Sequence, residues 1–409
     1  PDGDDANLGT LEAPWATAQH AADTVQPGDL VYLRGGTYNQ GFTVTTAGTS
    51  DNRIAFAAYP DERPLFDGRG VNRGNGILIG ADHITLHGLA AARWEGNAVW
   101  AEYASHLVIS ECVVRDVDYG IGLGPGCNDF TIENTTAHHF LLYGFDVTCD
   151  EADPCSRGVF NRCTSHTGSD PDQNVDGFAL GHYHTHDITM NHCVTHDVYD
   201  GFDISASNAT LNGCVAHHCG NGGFKLWQDG VTLNNCIGYD NSQVNAEVDW
   251  DPDVGPTTTT LNNCTLAGSE TFNLVVEDGA SSLHLNNSIV AGGENIALAF
   301  LAGEAANYRG DHNLWQNHDP ERLIVVMEPD REYALSEAAA WQTDTGQDTN
   351  SLFLESMDGI FADPEQGDYH LASASPARDA ADCAAAPATD LEENERPRGD
   401  GCDIGAYEQ

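Results

Sequence analysis

Lysine is almost absent from this chain. Of its 16 basic side chains one is lysine, Lys225, and the others are arginine, although lysine is ordinarily among the commonest residues. Positive charge is scarce altogether: 63 acidic groups against those 16 leave a formal net charge of −47 over 409 residues. That deficit excludes nucleic-acid binding of the usual kind, which needs clustered Lys and Arg to neutralise phosphates. Long apolar runs are missing too. None approaches the ~18 residues needed to cross a bilayer, so no membrane partner is expected. No signal-type apolar segment opens the chain at Pro1, so any targeting segment is expected to have been removed already. The acidic excess is spread along the chain instead of forming a tail, and it self-repels unless salt screens it. A high-salt source is therefore expected; the protein is expected to act as a monomer and, from two local cysteine pairs, to be secreted and extracellular.

What the chain has is repetition. The segments ITLHGL (84–89), LVISEC (107–112), FTIENT (130–135), GVFNRC (158–163), ITMNHC (188–193), ATLNGC (209–214), VTLNNC (231–236), TTLNNC (259–264) and LHLNNS (283–288) align, with steps of 21 to 30 residues between them. Within a unit the side-chain parity switches: Val231 and Leu233 share a face, whereas Cys236 falls an odd step away. A bend at Asn234-Asn235 is expected, since Asn tolerates the left-handed backbone of a corner. Two or three short strands per coil, stacked about 4.8 Å apart, make an all-β fold, a right-handed parallel β-helix or solenoid. A short capping helix over Pro14–Thr24 and a first coil in QPGDLVYLRGGTY occupy residues 1–45. The β-helix with its active-site face spans 46–330, and the last coils with a C-terminal cap span 331–409.

The 12 cysteines divide by the same repeat. Cys112, Cys163, Cys193, Cys214, Cys236 and Cys264 each open a new short segment and are expected to be stacked, buried thiols. Two local pairs remain, Cys149 with Cys155 and Cys383 with Cys402; as disulfides they indicate an oxidising compartment.

A second alignment carries the chemistry. The pieces YGIGL (119–123), YGFDV (143–147), DGFAL (176–180), DGFDI (200–204), GGFKL (222–226) and NAEVD (245–249) place Ile121, Phe145, Phe178, Phe202 and Phe224 inward. The residue after each then points out to solvent. That outward column reads Gly122, Asp146, Ala179, Asp203, Lys225, Glu247, and two positions before each inward residue another reads Tyr143, Asp176, Asp200, Gly222. Asp176, Asp200 and Asp203 are thereby expected to converge. Like charges that close are costly unless a cation joins them, and flexible carboxylates suit calcium. Lys225 projects from the next rung, and Glu247 one rung on could orient its amine or simply pair with it. A chain that spares one lysine suggests that this position needs an amine; the plainer alternative is a surface salt bridge worth about 0–1 kcal/mol. Trp227, outward like Lys225, is a candidate for stacking on a sugar. The histidine-rich run HYHTHD (182–187) lacks spacing that would fix a zinc geometry.

At these residues the sequence resembles polysaccharide lyase family nine, the calcium-dependent pectate lyases and their relatives. NVDGFAL (174–180), YDGFDI (199–204) and GNGGFKL (220–226) are similar to that family's calcium and lysine segments, specifically over 174–226 and only architecturally elsewhere. The resemblance implies Asp176, Asp200 and Asp203 as calcium ligands and Lys225 as the base in β-elimination on an acidic polysaccharide. Tyr199 stands where the family carries a further Asp, and is placed with Trp227 and Glu247 at the substrate. A calcium nearby would lower the lysine pKa while Asp203 and Glu247 would raise it, so the sequence leaves its sign open. Pectate is the first substrate expected, with alginate or a glycosaminoglycan next. A hydrolase using the Asp200 and Asp203 region, or a noncatalytic carbohydrate-binding β-helix, stays open.

Overall fold

The computed structural model describes residues 3–70, 74–168, 174–181, 184–249, 255–277, 279–302, 305–328 and 330–409. Of the histidine-rich run, residues 182 and 183 lie outside them. The chain divides into two compact units, Pro1–Thr189 and Met190–Gln409.

In the first unit short strands recur in threes and each pairs in parallel with its counterpart in the next coil. One ladder runs through Leu30–Leu33, Ile54–Ala58, Ile84–His87, Val108–Ser110, Thr131–Glu133 and Val159–Asn161. Another runs through Phe42–Val44, Ile77–Ile79, Asn97–Ala101, Val113–Leu123, Thr136–Thr148 and Asp176–Gly181. The expected helix is shorter than its composition suggested and covers Ala18–Thr24, because Thr17 caps it by accepting the His20 N–H. Proline at 14 and the capping hydroxyl at 17 set its start.

The second unit repeats the plan. Thr210–Asn212, Val231–Asn234, Thr258–Asn262, Ser282–Asn286 and Tyr308–Asp311 form one parallel ladder. Asp200–Ile204, Gly222–Leu226, Val244–Val248, Phe272–Val276, Ile296–Phe300 and Ile324–Val326 form the ladder that carries the site. The fold class is thus all-β, a parallel β-helix in each unit. The corner expected at Asn235 is there, with φ 53°, and Asn263 and Asn287 repeat it. Among the described residues many coils have two further left-handed corners, for instance His218 and Gly230, and so three strands per turn.

Inside, like residues stack on like. Phe145 lies on Phe178 in the first unit, 4.8 Å between ring centroids, and Phe202 on Phe224 in the second, 5.1 Å and 4° from parallel. All are fully buried, as are Ile204 and Leu226. The six repeat cysteines are buried free thiols, and burial pushes the Cys214 and Cys236 thiols well above their usual pKa. Cys149–Cys155 and Cys383–Cys402 are disulfides, with Cα atoms 5.8 and 5.3 Å apart. The C-terminal segment forms an antiparallel pair, Phe361–Asp363 with Asp368–Leu371. It then runs along the asparagine corners, where Asn235, Asn263 and Asn287 donate to the carbonyls of Thr389, Asp403 and Asp382.

Candidate active site

Three parallel strands of the second unit build the site. Phe202, Phe224 and Ala246 are register partners on the buried side, which forces Asp203, Lys225 and Glu247 into register on the other. Neighbouring rungs lie only about 4.8 Å away, so these side chains shield one another. The column does not stand in open solvent as its parity suggested: Asp203, Lys225 and Glu247 are half-buried, and the Lys225 side chain is 13% exposed. In the first unit the corresponding Asp146 and Ala179 are buried outright.

Asp200 is the centre of the arrangement. Its carboxylate is wholly buried and is fixed by donors from the following coil. Oδ1 accepts the Asn221 side-chain amide at 2.9 Å and the Gly222 N–H at 3.0 Å, and Oδ2 accepts the Lys225 ammonium at 3.2 Å. Neither Asn221 nor the direct Asp200–Lys225 bond was expected from the sequence. Asn221 sits in the GNGGFKL segment, which is the one signal that could have pointed to it. Trp227 is half-buried and turned toward the lysine, with Nζ 5.1 Å from its ring centroid. Tyr199 is half-buried beside Asp200, and its carbonyl accepts the Asn221 N–H at 2.8 Å. Asp176 belongs to the first unit, where it opens the strand Asp176–Gly181, is 2% exposed, and pairs in register with Tyr143.

The electrostatics follow from four charges in a poorly hydrated place. Burial pulls the Lys225 pKa down, but Asp200, Asp203 and Glu247 outweigh it and hold the ammonium above its ordinary range. Burial pushes Asp203 up to about 6, against the pull of Lys225 and the Trp227 indole and with the help of Asp200. Glu247 rises to about 7, again by burial first, with Lys225 opposing and Glu277 and Asp249 adding to it. Three carboxylates thus share one ammonium, and two of them resist ionising. Asp200 and Asp203 each offer an oxygen within 4.8 Å of the other. All-oxygen donors with one cation too few suit a hard divalent ion. Chemically, the group offers an amine for proton transfer beside carboxylates that could hold such an ion.

Comparison with known proteins agrees with this architecture. The model of the Pel9A-like, right-handed β-helix region matches residues 1–252, more than half of the chain. Pectate lyase L of Paenibacillus polymyxa is 23% identical over 296 residues, 65% of this chain and 62% of that protein. Pectate lyase PEL9 of Emericella nidulans is 35% identical over 101 residues, 23% of this chain and 25% of its own length. The matched part is therefore less than two-thirds of either relative. Among solved structures, pectate lyase Pel9A superposes with a TM-score of 0.62 at 17% identity, covering 100% of this chain and 95% of that one. XylC in complex with xylose gives 0.61 at 11% identity over 99% and 97%. Two proteins with such different names fit almost equally well, so the superpositions speak for the fold alone. No helix among the described residues is long and apolar enough to cross a membrane. The chain belongs to the Pel9A-like family of right-handed β-helix proteins.

Proposed function

We propose that this protein is a calcium-dependent polysaccharide lyase that cleaves a uronate polymer, pectate first, by β-elimination. The observation that carries the reading is the chain's one lysine, held in register between Asp203 and Glu247 with its Nζ 3.2 Å from buried Asp200. Burial disfavours the ammonium and three carboxylates restore it, so the amine stands beside acidic groups able to hold a divalent ion.

Asp200 and Asp203 would hold calcium, with Asp176 as a third ligand from its place in the repeated Asp-Gly-Phe segment. Calcium, when bound, supplies positive charge that binds the sugar carboxylate and acidifies the proton at C5. Asn221 and the Gly222 N–H keep Asp200 in one orientation. Lys225, in its free-amine form, takes the C5 proton; the electron pair forms the C4=C5 double bond and the C4–O glycosidic bond breaks. The leaving oxygen gains a proton, and the new nonreducing end is an unsaturated uronide. The base works only when deprotonated, and its carboxylate neighbours raise its pKa, so the rate is expected to climb into alkaline pH. Trp227, whose ring centroid lies 5.1 Å from the amine, and Tyr199 would serve as substrate contacts. The two disulfides and the −47 charge support secretion into an oxidising, salty medium, where screening lets a polyanion approach an acidic surface.

A second reading is favoured by the raised carboxyls. The strands of Asp203 and Glu247 lie two rungs apart, about 9.6 Å, at the outer limit of the carboxyl separation for an inverting hydrolase. Products from polygalacturonate and alginate in high salt, with calcium or with chelator, separate the two. Ultraviolet-absorbing ends that require calcium support the lyase. Reducing ends without ultraviolet absorbance support the hydrolase and overturn elimination.

A further inference from the structure

The first unit carries a feature that the proposed chemistry does not use. In GIGLGPG (120–126) glycines alternate, and those at 122, 124 and 126 are overlain by aromatic rings of the preceding coil. Trp100 is the register partner of Gly122. A Cβ on Gly122 would come within 2.7 Å of the indole Cε3, and one on Gly124 would collide with the opposite edge of the same ring, at Cζ2. Meeting both positions with opposite edges places the six-membered ring of the indole over the strand, across the two glycines. Its Nε1 donates to Glu102 Oε2 at 3.3 Å, which fixes it in plane. Tyr103 rests against Gly126 in the same way, 3.1 Å from a Cβ there, and is 58% exposed.

Two rings are thus laid on one face over positions kept free of side chains, and Trp100 itself is only half-buried. Core packing explains neither, because the inward positions of this coil belong to Val99, Ile121 and Leu123. Two rings are also far short of the ~800 Å² per partner that a stable protein interface needs. The rim is acidic, with Glu102 at the indole, and Asp153 and Asp150 raising the Tyr103 pKa, Asp153 most. Carboxylates accept from hydroxyls, and flat rings take the apolar CH face of a pyranose.

We infer that Trp100 and Tyr103 form a saccharide-binding platform of the first unit that takes pyranose rings of the polysaccharide. This rests on reading the chain as one that acts on a polysaccharide. The contact is nonionic, so its contribution survives salt that would screen charge pairing.

The test is calorimetric binding of polygalacturonate and alginate oligomers to Lys225→Ala protein with calcium at low and high salt, then with Trp100→Ala, Tyr103→Ala or Gly124→Val added. Circular dichroism checks that each variant is folded. Loss of either ring, or lifting the indole with Gly124→Val, is expected to weaken binding roughly tenfold, undiminished at high salt, with Trp100→Phe recovering part of it. In lysine-containing protein the same changes raise KM with little effect on kcat. Affinities within twofold of the parent, or no binding of either polymer, overturn the platform. Aromatic-dependent binding without unsaturated products upholds it and overturns the lyase reading instead.

Discussion

The balance at Lys225 is decided by three carboxylates against one desolvation penalty, and that has consequences for pH. Asp203 and Glu247 have folded-state pKa values of about 6 and about 7, above the ordinary 3.8 and 4.5. A group raised on folding binds protons more tightly in the native state, so its stabilisation is present below the unfolded pKa and is lost as pH rises through the folded one. The calcium-free protein is therefore expected to lose stability between about pH 4 and pH 7 from these two groups. Urea midpoints across that window check this, and Asp203→Asn with Glu247→Gln should flatten the slope. Asp200 behaves differently because three donors need it. Asp200→Ala would take from Lys225 its hydrogen-bonded carboxylate and leave Asp203 and Glu247 to balance it, at an expected cost of about 1–3 kcal/mol, read from denaturant unfolding. Side-chain parity made the column Asp203, Lys225, Glu247 legible in the sequence. The bond from Lys225 to Asp200 was not, because parity names a face and says nothing about where a four-carbon stem settles on it.

Strands in this molecule are three to five residues long in most coils, too short to hold register alone, so stacking and corners hold it. Phe224 lies between Phe202 and Ala246 in its column. Phe224→Ala should cost about 3–5 kcal/mol and lower activity by loosening the register that aligns Asp203 with Lys225; thermal unfolding and initial rates would show both. The asparagine corner could be read from the repeat because Asn234, Asn262 and Asn286 pass amide hydrogen bonds from rung to rung at 3.0 to 3.1 Å. The other two corners left no such trace, since His218, Asp240, Asn208 and glycines all serve there. The C-terminal brace was equally hidden. Arg396 reaches Glu408 at 2.9 Å, the Asp403 and Gly405 carbonyls and Asn235 Oδ1, partners up to 161 residues away in sequence. Arg396→Ala leaves the fully buried Glu408 without its cation and is expected to destabilise the second unit by about 3–5 kcal/mol.

Across the whole chain the dominant quantity is charge. A net −47 makes compactness depend on screening: the Debye length falls from about 10 Å at 0.1 M salt to about 3 Å at 1 M. The unfolding temperature is expected to rise over that range, and a salt-independent value would remove the reason for expecting a high-salt source. Composition showed this excess plainly, and the period of the repeat showed the fold class; the identity of the polymer proposed as substrate is a matter of local contacts that neither encodes. The central claim concerns the lysine. Its most direct test is the initial rate of unsaturated uronide release from polygalacturonate with calcium, in high salt at alkaline pH, for the parent and a folded Lys225→Ala protein. A fall of roughly 10²–10⁴-fold with binding retained is the predicted result, whereas a variant that eliminates at the parent's rate would contradict the account.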